Sequence, residues 1–199
     1  MTENSLNYLN LLNSEQKKAV DLTNGALLVL AGAGSGKTRV LTFRILHILY
    51  KKLATPAQIL AVTFTNKAAN EMKTRIAKLI NLPIDRMWVG TFHSLSLRIL
   101  RQHHEEIGLK KNFLIIDTED QLKLIKNICD VEKIDTKETS AKYYLNIIDS
   151  FKNKGISSKE LKENKYRKND AEIRKIYTIY QSELIRLNLV DFGDLILHC

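Results

Sequence analysis

Residues 26–38, Ala-Leu-Leu-Val-Leu-Ala-Gly-Ala-Gly-Ser-Gly-Lys-Thr, form an apolar run broken by three glycines and closed by Lys37-Thr38. That order of strand, glycine loop and helix start is the pattern of a phosphate-binding P-loop. Glycines let the main chain turn tightly and aim several N–H groups at one anion, and the helix opening at Lys37 adds its positive dipole end. Ala31, Gly32, Ala33, Gly34, Ser35 and Gly36 are therefore candidate phosphate contacts, with Lys37 on the β- and γ-phosphates, the Thr38 hydroxyl on Mg²⁺ and Arg39 beside them. The strict motif has glycine where Ala31 stands, a change of one methyl group that its looser form admits. The alternative is a glycine-rich turn that holds no ligand.

The 199 residues are 44% hydrophobic and 27% charged, ordinary material for one or two cores. Lys and Arg number 31 against 22 Asp and Glu, a formal charge of +9 that favours a polyanionic partner or reflects no more than solubility. Cys129 and Cys199 have no metal-ligand spacing, and residues 1–10 lack the shape of a secretory signal, so a cytoplasmic location is expected. No apolar stretch approaches the roughly 20 residues that cross a bilayer, and no membrane partner is expected.

Periodicity predicts a heavily apolar helix carrying Val40, Leu41, Phe43, Ile45, Leu46, Ile48 and Leu49, then a buried strand over 59–64. A second helix follows with Ala69, Met72, Ile76 and Leu79, then a strand near 87–90 and a helix over 92–101. Alternation of this kind implies a parallel sheet with helices on both faces and ligands at the carboxyl ends of its strands. From Thr118 helical patterns follow one another, opened by a capping-box-like Thr118-x-x-Gln121, with an inward stripe of Ile173, Ile176, Tyr180, Leu184 and Leu187. Lys152, Lys154, Lys159, Lys162, Lys165, Arg167 and Lys168 form a basic stretch that suits a solvated surface as well as a nucleic-acid face.

Two strand ends carry hydroxyls beside aromatics: Thr63-Phe64-Thr65-Asn66 and Gly90-Thr91-Phe92-His93-Ser94. Rings that stack on bases and N–H or O–H groups that hold phosphates suit a single strand of nucleic acid. Equally, Thr65 and Asn66 could cap a helix and Phe64 could belong to the core. Upstream of the P-loop, the Gln16 carboxamide can donate and accept, as reading an adenine edge requires, while Asn13 and Gln16 also have capping-box spacing.

Taken together these segments resemble the superfamily 1 DNA helicases of the UvrD/Rep/PcrA type over essentially the whole chain. Gln16 falls at that family's adenine-reading Q motif, 31–38 at motif I, 63–69 at motif Ia and 90–94 at motif Ib. Asp191-Phe-Gly-Asp-Leu195 resembles the Asp-Phe-Asp-Asp-Leu segment before motif II, with Gly193 departing from it. The resemblance implies an α/β fold with a RecA-like parallel sheet over 1–113, an all-helical inserted subdomain over 114–189 and a return to the first domain over 190–199. It also implies ATP and Mg²⁺ as cofactors, with Phe64, Thr65, Asn66, Thr91 and His93 as contacts to single-stranded DNA or to single/double-strand junctions. Movement would run 3′ to 5′, and repair or replication proteins are the implied partners.

The acidic motif that holds Mg²⁺ and positions water, and the arginine of a second RecA-like domain, are not found, and the chain stops inside an apolar helical pattern. It is expected to be an N-terminal fragment, inactive alone. Two other readings stand beside this one. Phe113-Leu-Ile-Ile-Asp117 has the form of a Walker B strand, which would make a small self-contained ATPase, and the chain could also be a non-catalytic nucleic-acid-binding remnant. Asp191-Phe-Gly193 spells a kinase triplet, but the rest of the kinase signature is absent and Asp191 reads as a helix cap.

Overall fold

A computed structural model describes residues 7–80, 84, 86–136, 139–164 and 168–199. Lys165 and Arg167 of the basic stretch lie outside the described residues, as do residues 1–6. The chain divides into two compact units, Met1–Phe92 and His93–Cys199.

In the first unit a 3-10 turn, Asn7–Leu11, precedes helix α1 (Ser14–Asp21), and α2 (Lys37–Tyr50) starts directly on the glycine loop. Strand β1 (Leu60–Thr63), helix α3 (Asn66–Leu79) and strand β2 (Trp88–Thr91) follow. The strands pair in parallel with Leu60 opposite Trp88 and Thr63 opposite Thr91, so both carboxyl ends lie on one edge. Val20, Phe43, Leu46, Leu49, Met72, Ile76 and Val89 fill the core, drawn from the inward faces that helical and strand periods select.

Three expectations are corrected here. The run 26–31 is not a strand, because a strand exists through its ladder and this segment pairs with neither β1 nor β2; Leu28 and Leu30 stand 80% and 85% exposed. The segment 59–64 is not buried throughout, since its alternate residues turn outward: Ile59 is in the core while Leu60 and Phe64 are exposed. Leu79, at the last turn of α3, is exposed rather than inward.

His47 lies on the inner side of α2 and is 2% exposed. Burial holds its imidazole below the usual histidine pKa, reinforced by Lys51 and Arg44 and opposed by Asp21. A neutral imidazole is thus the form the fold prefers, so its stabilising share is complete above about pH 6.5 and disappears as pH falls through the depressed folded value. Urea midpoints measured from pH 7 to pH 5 are expected to decline, and His47→Phe is expected to flatten that decline.

The second unit carries α4 (Phe92–Gln102), β3 (Leu114–Ile115), α5 (Thr118–Val131), α6 (Ala141–Asn153), α7 (Asp170–Arg186), β4 (Leu189–Val190) and α8 (Phe192–Leu197), with α4 opening at the boundary. β3 and β4 pair in parallel, so the segments on either side of α5–α7 meet. One core joins α5, α6 and α7; a smaller one holds Leu100, Leu109, Phe113, Val190 and Leu195. The architecture is mixed α/β with two small parallel sheets, in place of the single sheet expected.

Helix α5 is capped one residue earlier than expected: the Asp117 carboxylate accepts from the N–H groups of Glu119 and Asp120 at 2.9 and 3.0 Å. On α7, Ile173, Ile176, Tyr180 and Leu184 face inward with Tyr177, whereas Leu187 sits just past the helix end and is exposed.

Lys152 overturns its place in the basic surface stretch. Its side chain is 0% exposed, and its ammonium lies 2.6 Å from Asp191 Oδ2 and 2.7 Å from Asp194 Oδ1, both carboxylates also being fully buried. Tyr180 donates to Asp191 at 2.9 Å and Gln181 to Asp194 at 3.1 Å. Burial pushes the Asp194 carboxyl up, but His198 and the Lys152 ammonium outweigh it and hold it below the ordinary carboxylate range. Asp191 and Asp194 also make the capping box that begins α8, as the sequence indicated for Asp191. Gly193 has a local reason to be small: a Cβ there would lie 2.9 Å from Lys152 Cδ and 3.1 Å from its Cβ.

Candidate functional site

The glycine loop is built by two left-handed residues, Gly34 at φ +75° and Gly36 at φ +85°. Gly36 is the N-cap of α2 and offers no side-chain cap, so the N–H groups of the first turn, at Lys37, Thr38 and Arg39, point out of the helix without a side-chain acceptor. The loop closes on itself through Ser35, whose hydroxyl donates to the Gly32 carbonyl at 2.7 Å. Lys37 lies back across it, donating from Nζ to the carbonyls of Ala31 and Gly32 at 2.9 and 2.7 Å.

This donor set fits an anion. A helix N-terminus and an exposed ammonium whose hydrogen-bond acceptors are neutral carbonyls both gain from a phosphate, because charge-assisted hydrogen bonds are about twice as strong as neutral ones. Thr38 is half-buried at the second position of α2, and the Arg39 guanidinium lies 5.8 Å from the Phe43 ring centre. Among the described residues no group of three or more His, Cys, Asp or Glu side chains is placed to hold a metal ion.

Gln16 takes the capping-box role that its spacing allowed and also reaches the glycine loop. Its Oε1 accepts from the Asn13 N–H at 3.1 Å and its own N–H donates to Asn13 Oδ1 at 2.9 Å, completing the capping box of α1. The other end of the same carboxamide donates from Nε2 to the Ser35 carbonyl at 3.1 Å, which sets it on the loop. Gly36 is favoured here by its positive φ, and a Cβ would fall 2.9 Å from Gln16 Nε2, so that the carboxamide would have to move.

At the edge formed by β1 and β2, Thr65 caps α3, its hydroxyl accepting from the Ala68 N–H at 3.1 Å. Thr63 donates to the Thr65 carbonyl at 3.0 Å, and the Thr91 hydroxyl lies 3.5 Å from Asn66 Oδ1. Phe64, held between these anchored residues, is 98% exposed, so it is not part of the core. Phe64, Thr65, Asn66 and Thr91 are thus together on one edge. His93 belongs to the second unit, where its ring meets Phe192 edge-on at 5.9 Å between centres. Phe192, which the sequence offered only as part of the Asp191–Leu195 segment, is 55% exposed.

A glycine-bent loop that opens a helix, crossed by a lysine and touched by a glutamine, sets the class: a mixed α/β chain whose loop has the donors that suit an anion. Residues 12–199 match the family model of the UvrD/REP helicase N-terminal domain, and the chain belongs to that family. It is 42% identical over 189 residues to the ATP-dependent DNA helicase PcrA of Staphylococcus aureus, covering 95% of this chain and 26% of that protein. It is 45% identical over 187 residues to the PcrA of Leuconostoc citreum, covering 94% and 25%. The chain therefore spans about a quarter of the length of these curated relatives. No helix among the described residues is long and apolar enough to cross a membrane.

Proposed function

We propose that these residues form the ATP-binding and single-strand-contacting part of an ATP-dependent 3′–5′ DNA helicase. The observation that carries this reading is the uncapped start of α2 beneath the Lys37 ammonium, with the Gln16 carboxamide at the same loop. The relatives are named as ATP-dependent DNA helicases. The loop N–H groups and Lys37 hold the β- and γ-phosphates, Gln16 reads the adenine edge, and Arg39 lies beside them. Thr38 supplies a hydroxyl to Mg²⁺. Bound, the magnesium nucleotide brings the phosphoanhydride whose hydrolysis drives movement along the strand.

The edge that carries Phe64, Thr65, Asn66 and Thr91 takes single-stranded DNA or a junction: the ring stacks on a base and the hydroxyls and amide hold the backbone, while His93, in the second unit, is a separate candidate contact. In the RecA-like arrangement implied by the family, 1–113 and 190–199 belong to the nucleotide domain and 114–189 to a helical insertion. The pairing of β3 with β4 on either side of α5–α7 supports that division. A self-contained ATPase using Asp117 is not favoured, since that carboxylate is committed to capping α5.

Titration with a fluorescent ATP analogue tests the reading. Lys37→Ala is expected to weaken binding at least about tenfold, the loss of one or more charge-assisted hydrogen bonds. If neither Lys37→Ala nor Gln16→Ala changes nucleotide binding while single-stranded DNA still binds with a steep salt dependence, the chain is a nucleic-acid-binding module and the P-loop is only structural.

A further inference from the structure

The segment that presents Gln16 meets one side chain of the P-loop helix at both of its ends, through a hydrogen bond at the first and a longer charge–dipole contact at the second. Ahead of α1, the Tyr8 hydroxyl lies 2.8 Å from His47 Nδ1, and its ring stacks on Phe43 and Tyr50 with centres 5.9 and 5.5 Å apart. At the other end Asp21, the last residue of α1, places Oδ1 3.6 Å from His47 Nε2. Between these anchors Arg44, one turn from His47, donates to the Ala19 carbonyl at 2.5 Å.

The chemistry of the imidazole fixes the sense of these contacts. With Nδ1 accepting from the Tyr8 hydroxyl, the proton sits on Nε2 and faces the Asp21 carboxylate; the opposite tautomer would set two acceptors against each other. Nε2 is buried and makes no hydrogen bond, so its attraction to Asp21 is not spent elsewhere. His47 and the loop share the rigid frame of α2, so whatever fixes α1 against His47 also fixes Gln16 against Ser35. A slip of α1 by about 1 Å along α2 would lengthen the 3.1 Å contact from Gln16 to the loop beyond hydrogen-bonding range.

We propose that His47, hydrogen-bonded to Tyr8 and facing Asp21, is a positioning residue that holds Gln16 in register with the P-loop and thereby sets the preference of the chain for adenine over guanine nucleotides. This rests on Gln16 as the adenine reader. Tyr8 and His47 act in this proposal through α1 and not by contact with the nucleotide.

The test is competition of ATP and GTP against a fluorescent triphosphate on the full chain. Tyr8→Phe keeps the stacked ring and removes only the hydroxyl, and His47→Phe keeps an aromatic side chain and removes both nitrogens. Each is expected to lower the ATP-over-GTP ratio by about two- to tenfold, the loss of one neutral hydrogen bond, while GTP affinity stays at the wild-type value. Combined with Gln16→Ala, neither should lower the ratio further, since residues acting through one another are not additive. An unchanged ratio in both phenylalanine variants, with a lowered one in Gln16→Ala, overturns the clamp and leaves the Gln16 reading standing. Equal weakening of ATP and GTP also overturns it, as a general structural role. If Gln16→Ala keeps the wild-type ratio, or the wild type has no preference, the adenine-reading role fails and the clamp fails with it. Should His47→Phe not fold, Tyr8→Phe decides alone.

Discussion

Lys152→Ala is expected to lower the unfolding free energy of the second unit by about 3–5 kcal/mol, the cost of leaving a buried ion pair half-made. The ammonium is the cation that Asp191 and Asp194 share, and all three side chains are closed to solvent. Its removal leaves two carboxylates facing one another, with Tyr180, Gln181, His198 and the N–H groups of their own capping box as polar neighbours but no full cation to match them. Stabilities of single domains are about 5–15 kcal/mol, so a loss of this size is a third or more of the total. Lys152→Met should show most of the same loss, because the missing charge and not the missing volume dominates. Adding Asp191→Asn and Asp194→Asn to Lys152→Met should recover part of it, since asparagine removes charge and still caps α8. Urea unfolding followed by circular dichroism reads all of these. A Lys152→Ala midpoint equal to the wild type would mean that the carboxylates are already neutral or hydrated in the folded chain.

Phe64→Ala is expected to weaken binding of single-stranded DNA by about 1–3 kcal/mol, roughly five- to 150-fold, the range for losing one base–aromatic stack. Because the ring is 98% exposed, its removal takes nothing from the core, and the urea midpoint should not move. Fluorescence anisotropy with a labelled oligothymidine at fixed salt measures the affinity, and Phe64→Trp should restore it. Unaltered affinity in Phe64→Ala would remove the stacking role from this edge. The pairing of a large binding effect with no stability effect separates this ring from Lys152, where the expectation is reversed.

Local signals carried most of what was legible. The glycine loop, the capping box of Asn13 and Gln16, the Thr65 cap and the stripes of α3 and α7 all depend on residues within four of one another, and those spacings survive in a linear string. Contacts across the chain did not. Lys152 reads as one more surface lysine until α8 brings Asp191 and Asp194 to it, 39 and 42 positions away. The departure at Gly193 was visible, but its reason, the Lys152 stem laid against it, was not. Phe64 and Leu60 sit in a run whose hydrophobicity says only that it extends, and which face meets the core is decided by β2 and α3. The run 26–31 has strand composition, yet no ladder forms where no neighbour is offered. The grip of His47 on Tyr8 left no mark at all, since histidine and tyrosine 39 residues apart form no pattern.

The lysine folded over the carbonyls of Ala31 and Gly32 has a kinetic and entropic meaning for ligand capture. A free-swinging ammonium would lose rotamer freedom when a triphosphate arrives, a penalty of about 0.5–1.5 kcal/mol for a long side chain. Here that ordering has already occurred, and the incoming oxygens need only trade places with two amide oxygens of the loop. Arrival of the ligand thus becomes a swap between acceptors at one tethered donor, and the tail is seized without first having to be found.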